Sequence, residues 1–259
     1  VVRSAGKDES AALLPFPAAE GVEPCSAHIK PAEGPFSHSR SSRNAAYGLT
    51  ERLSMTQLPT QMIIATMNQG KLKEVKEVLV GLPIQLLSLR DYPLIPEIVE
   101  DGLTFTENAL KKARAVCQAT GLTTLADDSG LCVDALEGRP GVFSARYAGQ
   151  GASDEENYRK VLEEMKDVPD AMRSAHFVCV LALVEPDGQE RIFEGSCQGR
   201  ITKEPIGKQG FGYDPIFFFE PMGVTFAEID SAAKSIVSHR GKALRQFAAY
   251  IRRARDARI

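Results

Sequence analysis

A largely apolar run at 122–126 delivers two adjacent carboxylates, Asp127 and Asp128, into Ser129 and Gly130, and no other stretch restricts the chain as much. Asp, Ser and Gly are turn formers, so a strand is expected to end there in a tight turn, with the acids at a cleft mouth. A hard cation such as Mg²⁺ takes oxygen ligands and usually keeps several waters, so one or two carboxylates beside a flexible turn are a seat for it. The bland alternative is a solvated turn that happens to be acidic.

The 259 residues suffice for one large domain, or for a domain with an appendage, of ordinary globular composition. A net charge of only -3 provides no basic field for a nucleic-acid backbone, so a polymeric nucleic-acid partner is disfavoured. Cys25, Cys117, Cys132, Cys179 and Cys197 are odd in number, form no C-x-x-C pair and mostly sit in apolar stretches. They read as reduced thiols in a cytoplasmic protein without zinc. No apolar run approaches the roughly 18 residues of a membrane span.

Residues 1–58 are rich in Pro, Gly, Ser, Ala and His without persistent periodicity, and little order is expected there. Acids such as Asp8, Glu9, Glu20 and Glu23 spoil a transit-peptide pattern. Because the chain begins with Val1 and regular patterning starts just after Met55, part of this segment is expected to lie upstream of the natural start. From Gln61 a short buried strand, 62–65, leads through Thr66, Met67, Asn68, Gln69, Gly70 and Lys71 into a helix with Leu72, Val75, Val78 and Leu79 on one face. A polar loop at a helix N-terminus offers free N–H groups and the positive dipole end to phosphate, and Lys71 adds charge. It is not a Walker loop, since Ala65 and Leu72 stand where that motif needs Gly and Ser or Thr. The alternative is a plain helix start.

A second strand at 84–89 leads into a Pro-bearing segment that carries Glu97, Glu100 and Asp101. Thr104 and Glu107 form a capping box for a helix ending at Gly121, on which Lys111, Lys112 and Arg114 are a solvated face unless one reaches an anion. Ser153 and Glu156 cap a further helix, and 176–184 with Pro186-Asp187-Gly188 and 191–195 reads as a long hairpin. His176, at a strand start, reads as structural. In the Gly-rich loop 207–214, Phe211 or Tyr213 offers a flat face on which a base can stack, with a hairpin loop and core aromatics as the alternative. Lys234, His239, Arg240 and Lys242 cluster at the start of the last helix, where the dipole disfavours cations, so they are expected to answer an anion.

These residues carry a resemblance to the inosine triphosphate pyrophosphatase family from about residue 61 to the C-terminus. The motifs similar to T-G-N-x-x-K, T-F-x-E-N-A, A-D-D-S-G-L-x-V-D-A-L, F-G-Y-D-P and K-x-x-x-S-H-R-G stand in register. The resemblance implies a pyrophosphatase domain over 59–259, folded as an elongated, two-lobed α/β domain with a long mixed β-sheet flanked by helices and a central nucleotide cleft. It implies a homodimer and Mg²⁺-dependent water attack on the α-phosphate of ITP, dITP or XTP. By the same resemblance, Asp128 is metal ligand and proton acceptor, and the loop from Thr66 through Met67, Asn68, Gln69 and Gly70 to Lys71 binds the triphosphate, joined by Lys112. Ser129 binds substrate, with Asp127 as a supporting charge. Phe211, Gly212, Tyr213 and Asp214 form one side of the base pocket, and Lys234, His239 and Arg240 hold phosphates and read the 6-oxo group.

The residue types suit that chemistry. Water attack at phosphorus needs neutralised oxygens and a positioned base, not a covalent nucleophile. Donors aimed at a 6-oxo group are left unpaired by adenine. Two positions depart from the family. Met67 replaces a Gly and is strained or rearranged if the backbone needs positive φ, and Val99 replaces a second metal-binding acid, so that either Glu100, next along, substitutes or Asp128 holds the ion mainly through water. A pyrophosphatase for another modified nucleotide, such as a pyrimidine, and a non-catalytic nucleotide-binding regulator remain the alternatives. Single-stranded nucleic-acid binding through Phe211 and Tyr213 would need a basic groove.

Overall fold

In the computed structural model, residues 59–82, 84–96 and 98–256 are described; residues 1–58, expected to carry little order, lie outside the described residues. Seven strands form one mixed sheet in the order β2-β1-β3-β4-β5-β6-β7. They are β1 (Gln61–Ala65), β2 (Gln85–Ser88), β3 (Thr124–Val133), β4 (Ser174–Val184), β5 (Glu190–Ile201), β6 (Phe217–Phe219) and β7 (Val224–Thr225). β1 is parallel to both β2 and β3, and every later pairing is antiparallel. Parallel neighbours require crossovers, which α1 (Gln69–Val78) and α2 (Phe105–Thr120) supply. The long β4–β5 hairpin needs only the turn at 185–189.

Side-chain alternation sends β1 and β3 to two different cores. Met62, Ile64 and Leu125 pack with Leu72 and Val75 of α1 and with Leu244, Phe247 and Ile251 of α5 (His239–Asp256). Ile63, Ala65 and Ala126 face Ala109, Ala113 and Val116 of α2 on the opposite side. Burial on both faces explains the apolar run of β1. A third core lies further along the sheet, where Leu131, Phe177, Ile201 and Phe217 meet Val161 and Met165 at the end of α3 (Asp154–Glu164). Each fully buried large side chain contributes about 1.5–3 kcal/mol. The expected caps are present: Thr104 with Glu107 on α2, Ser153 with Glu156 on α3, and Gly121 in the left-handed region at φ 67°.

One expectation is overturned, because Ser129 and Gly130 do not turn the chain. β3 runs straight through them, with Asp128 opposite Val180, Ser129 opposite Cys179 and Gly130 opposite Val178. The glycine is needed for a close approach: a Cβ at Gly130 would lie 2.4 Å from the Gly141 carbonyl oxygen and 2.5 Å from Ser144 Oγ. The acids therefore stand midway along β3 and not at its end. They face a gap nonetheless, since β1 stops at Ala65, opposite Ala126. Past that point side chains serve the edge of β3: Lys112 Nζ donates to the Asp127 carbonyl at 2.9 Å and Ser144 Oγ accepts from Leu131 N at 2.9 Å.

Candidate active site

The gap beside β3 opens into a cleft of about 1300 Å³. Its walls are the end of β1 with the loop into α1, the middle of β3, the segment 89–101, the turn Gly141–Arg146, the Gly-rich loop and the start of α5. Thr66, Met67, Asn68 and Lys71 line it. Asn68 is the N-cap of α1, its Oδ1 accepting from Lys71 N at 3.0 Å, which fixes the loop at the positive end of the helix. Gln69 and Gly70, expected in the same loop to bind substrate, are not on the cleft wall. The Gln69 amide, oriented to satisfy its hydrogen bonds, meets the Arg90 guanidinium. Gly70 is the seat of the Phe211 ring, whose Cδ1 lies 2.5 Å from where a Cβ would stand. Met67 carries no backbone strain, since Glu137 is the only non-glycine residue with positive φ among the described residues.

Behind the loop lies a lattice of alternating charges. Asp127, buried on β3, pairs with Lys71 and with Arg240, whose Nε is 2.9 Å from Asp127 Oδ2. Arg240 also pairs with Glu74 of α1, and Glu74 Oε1 is 3.1 Å from Lys234 Nζ. Lys234 Nζ in turn lies 2.6 Å from Asp214 Oδ2. Three cations and three carboxylates thus balance within the protein. Of the four groups expected at the start of α5 to answer an anion, Arg240 and Lys234 pair with carboxylates of the chain itself, Asp127, Glu74 and Asp214. Lys242 reaches the Ser196 carbonyl at 2.7 Å instead. Lys234 belongs to a separate helix, α4 (Ser231–Val237).

Burial pushes the Asp127 carboxyl up, but Arg240 and Lys71 outweigh it and hold Asp127 well below the usual carboxylate range. Ser129 Oγ donates to Asp127 at 3.0 Å and accepts from Arg240 Nη2 at 3.2 Å, so the serine, on the cleft wall, is oriented by its neighbours. Burial, with Arg240 and Lys234 nearby, drives the His239 imidazole well below its ordinary value and keeps it neutral. Its ring stacks on Phe177 with centroids 4.6 Å apart, and Nδ1 has no hydrogen-bond partner.

Of the two candidate stacking aromatics, Phe211 is the half-buried one, its ring seated on Gly70. Lys234 Nζ lies 4.6 Å from its ring centroid and Arg240 Cζ 5.6 Å. Tyr213 is buried in the third core, and its hydroxyl donates to the Ser144 carbonyl at 2.7 Å, so it braces the loop instead of offering a face. Gly212 and Asp214 complete the wall: Gly212 N donates to Asp154 Oδ2 at 2.7 Å and Phe211 N to Asp214 Oδ2 at 2.8 Å.

Asp128 stands apart from the lattice. Its Oδ1 accepts from Ser129 N at 3.0 Å, while Oδ2 is buried without a partner. Burial raises its pKa to about 6 against the opposing pull of Lys71 and Lys112, with Glu100 adding to the rise. Lys112 is held by the Asp127 carbonyl and by an ion pair with Glu100. Val99 is exposed on the cleft rim. Among the described residues no group of three His, Cys, Asp or Glu side chains is arranged around a metal position. A buried, partnerless carboxylate oxygen with a second carboxylate nearby nonetheless fits a hard cation that takes its remaining ligands from water and substrate. Glu74, Arg90 and Asn108 escaped the sequence reading. Glu74 follows Lys71 by three residues on the same helix face, a spacing that places the two side by side.

An α/β sheet whose cleft joins a polar loop at a helix N-terminus, a lysine-flanked carboxylate and a half-buried aromatic ring fits a nucleotide-handling enzyme. The Ham1 family model matches residues 62–250, most of the chain, and the chain belongs to that family. It is 54% identical over 185 residues to a dITP/XTP pyrophosphatase of Geobacter sulfurreducens, a match covering 71% of this chain and 93% of that protein. A dITP/XTP pyrophosphatase of Streptomyces coelicolor is 48% identical over 74% of this chain and 98% of the relative. The solved HAM1 protein of Coxiella burnetii superposes with a TM-score of 0.70 at 45% identity, covering 74% of this chain and 98% of that one.

Proposed function

We propose that the protein hydrolyses non-canonical purine nucleoside triphosphates, namely dITP, XTP and ITP, to the monophosphate and pyrophosphate, and so cleanses the nucleotide pool. The observation that carries this reading is Asp128: a cleft carboxylate, 6% exposed, with one oxygen unpartnered and a pKa of about 6, flanked by Lys71 and Lys112. A base titrating just below neutrality is ionised at physiological pH and still basic enough to take a proton from attacking water.

In the reaction the triphosphate lies along the loop at the N-terminus of α1, where Thr66, Asn68 and Lys71 hold it and the helix dipole favours its charge. Asp128 accepts the proton of the water that attacks the α-phosphorus, and pyrophosphate leaves in line. Asp128 and Glu100 would hold Mg²⁺, which supplies neutralisation of the phosphoryl oxygens. Lys71, Lys112 and the fixed charges behind them are set before substrate arrives, so little reorganisation accompanies the reaction. The purine lies against Phe211, with His239, Arg240 and Lys234 on the side of the 6-oxo group. A neutral His239 and two cations held by Glu74 and Asp214 are donors that the 6-amino group of adenine cannot satisfy.

The homodimer and the cytoplasmic setting belong to the same reading. Cys117, Cys132, Cys179 and Cys197 are free and buried, in keeping with a reducing compartment. No helix among the described residues is long and apolar enough to cross a membrane.

The test is pyrophosphate release from ITP, XTP, dITP, ATP, GTP and dUTP with Mg²⁺, each with an EDTA control. Metal-dependent release favouring ITP, XTP and dITP is expected. Preference for dUTP would move the activity to another modified nucleotide. Binding of ITP without release from any substrate would make the protein a regulator.

A further inference from the structure

Asn108 lies in the first turns of α2, fully buried at 0% exposure, and contributes nothing to the cleft wall. The orientation of its amide is set by its surroundings. Gly102 N can only donate, and it does so to the atom 2.7 Å away, which must be Oδ1. Gly102 has no room for a side chain, since a Cβ there would lie 2.7 Å from that oxygen. The Nδ2 group is then left buried and without a partner. A buried donor left unpaired is destabilising, so its presence calls for a reason. The complementary orphan is Asp128 Oδ2, a buried acceptor without a partner. Asn108 is also among the groups that pull the Asp128 carboxyl down toward its charged form.

We propose that Asn108 is a positioning residue for the reaction: its Oδ1 pins the chain at Gly102, two residues after Glu100, and its Nδ2 aims the Asp128 carboxylate into the cleft. One buried amide thereby couples the segment carrying Glu100 to the base. A helix cap alone would use only Oδ1. The neighbouring Leu103 and Thr104 N–H groups are already served by Glu107 Oε2, at 2.7 and 3.1 Å. The inference rests on the pyrophosphatase reading and deepens it.

Two variants separate the arms. Asn108→Asp, assayed under mildly alkaline conditions, keeps the acceptor for Gly102 and replaces the donor with a second anion. Asn108→Leu removes both arms without burying a charge. The expected result for Asn108→Asp on XTP is a kcat lower by roughly 30- to 300-fold, within the range of general-base effects, with KM changed less than about threefold. Asn108→Leu shows a similar kcat loss, a raised KM, and faster amide hydrogen exchange at Gly102. Combined with Asp128→Asn and followed with enzyme in excess over labelled XTP, Asn108→Leu adds less than about threefold, because two residues acting as one unit are not additive. A kcat for either variant within twofold of the parent overturns the proposal. So does a loss that multiplies in full onto Asp128→Asn. A parent that releases no pyrophosphate sinks the functional reading instead, and unchanged Gly102 exchange in Asn108→Leu would then still refute the coupling.

Discussion

Asp128→Asn turns substrate over about 10² to 10⁴ times more slowly than the parent and melts several degrees higher at neutral pH. The two effects share one cause. Burial raises the Asp128 carboxyl from 3.8 to about 6, with Lys71 and Lys112 opposing and Glu100 assisting. A shift of that size corresponds to about 3 kcal/mol of disfavoured charge in the folded state. The sign follows from proton binding: the folded chain holds this proton more tightly than the unfolded one. The associated stability is fully present below 3.8 and is lost as pH rises through about 6. At neutral pH the parent bears the whole penalty and the Asn variant none of it. For a domain of this size about 1 kcal/mol moves the melting point by roughly 2–4 °C. Thermal melts of both proteins in EDTA at pH 7 and pH 4, paired with turnover of XTP, check the prediction. The gap between the melts should be largest at pH 7 and close toward pH 4. A base that destabilises its own fold is the expected trade between stability and activity. Near-normal turnover of the variant would remove Asp128 from its role.

Asp127→Asn has the opposite effect on the fold. Asp127 is buried and shared by Lys71 and Arg240, with further donation from Ser129 Oγ at 3.0 Å and Cys179 Sγ at 3.2 Å. Removing its charge leaves Arg240, only 2% exposed, with Glu74 as its remaining carboxylate partner, and Lys71 with none within the lattice. Breaking a buried pair from one side costs about 3–5 kcal/mol. Because Arg240 and Lys71 overcome burial and hold Asp127 well below 3.8, its contribution is present above that value and is lost as pH falls through the lower, folded one. Urea unfolding of the parent and Asp127→Asn at neutral pH measures the loss directly. A variant within about 1 kcal/mol of the parent would mean that the lattice carries little of the stability. Two adjacent aspartates therefore respond to charge removal with opposite signs, which distinguishes a base from a strut.

Much of this arrangement was legible residue by residue. The caps at Thr104, Ser153 and Gly121 obey local rules, and the N-cap of α1 at Asn68 sits at the polar loop expected to hold phosphate. What local rules miss is set by distant partners. Ser129 and Gly130 have turn chemistry, yet β4, some fifty residues on, continues the ladder through them, and Gly141 occupies the space a side chain would need. Glu74 lies outside the apolar face of α1 that periodicity picks out. Of the four groups expected at the start of α5 to answer an anion, Arg240 and Lys234 pair with carboxylates on α1, β3 and the Gly-rich loop, which only the fold brings together, whereas Lys242 reaches a carbonyl and His239 is neutral. Tyr213 and Phe211 are two residues apart and alike in sequence, yet Tyr213 is packed into the third core while Phe211 is only half-buried at the cleft.

The most direct measurement of the central claim is hydrolysis of XTP in oxygen-18-labelled water, with both products read by mass spectrometry. Water attack on the α-phosphorus with Asp128 as proton acceptor predicts labelled xanthosine monophosphate and unlabelled pyrophosphate. Label in the pyrophosphate, or release of orthophosphate with xanthosine diphosphate, would place the attack at another phosphorus and contradict the account.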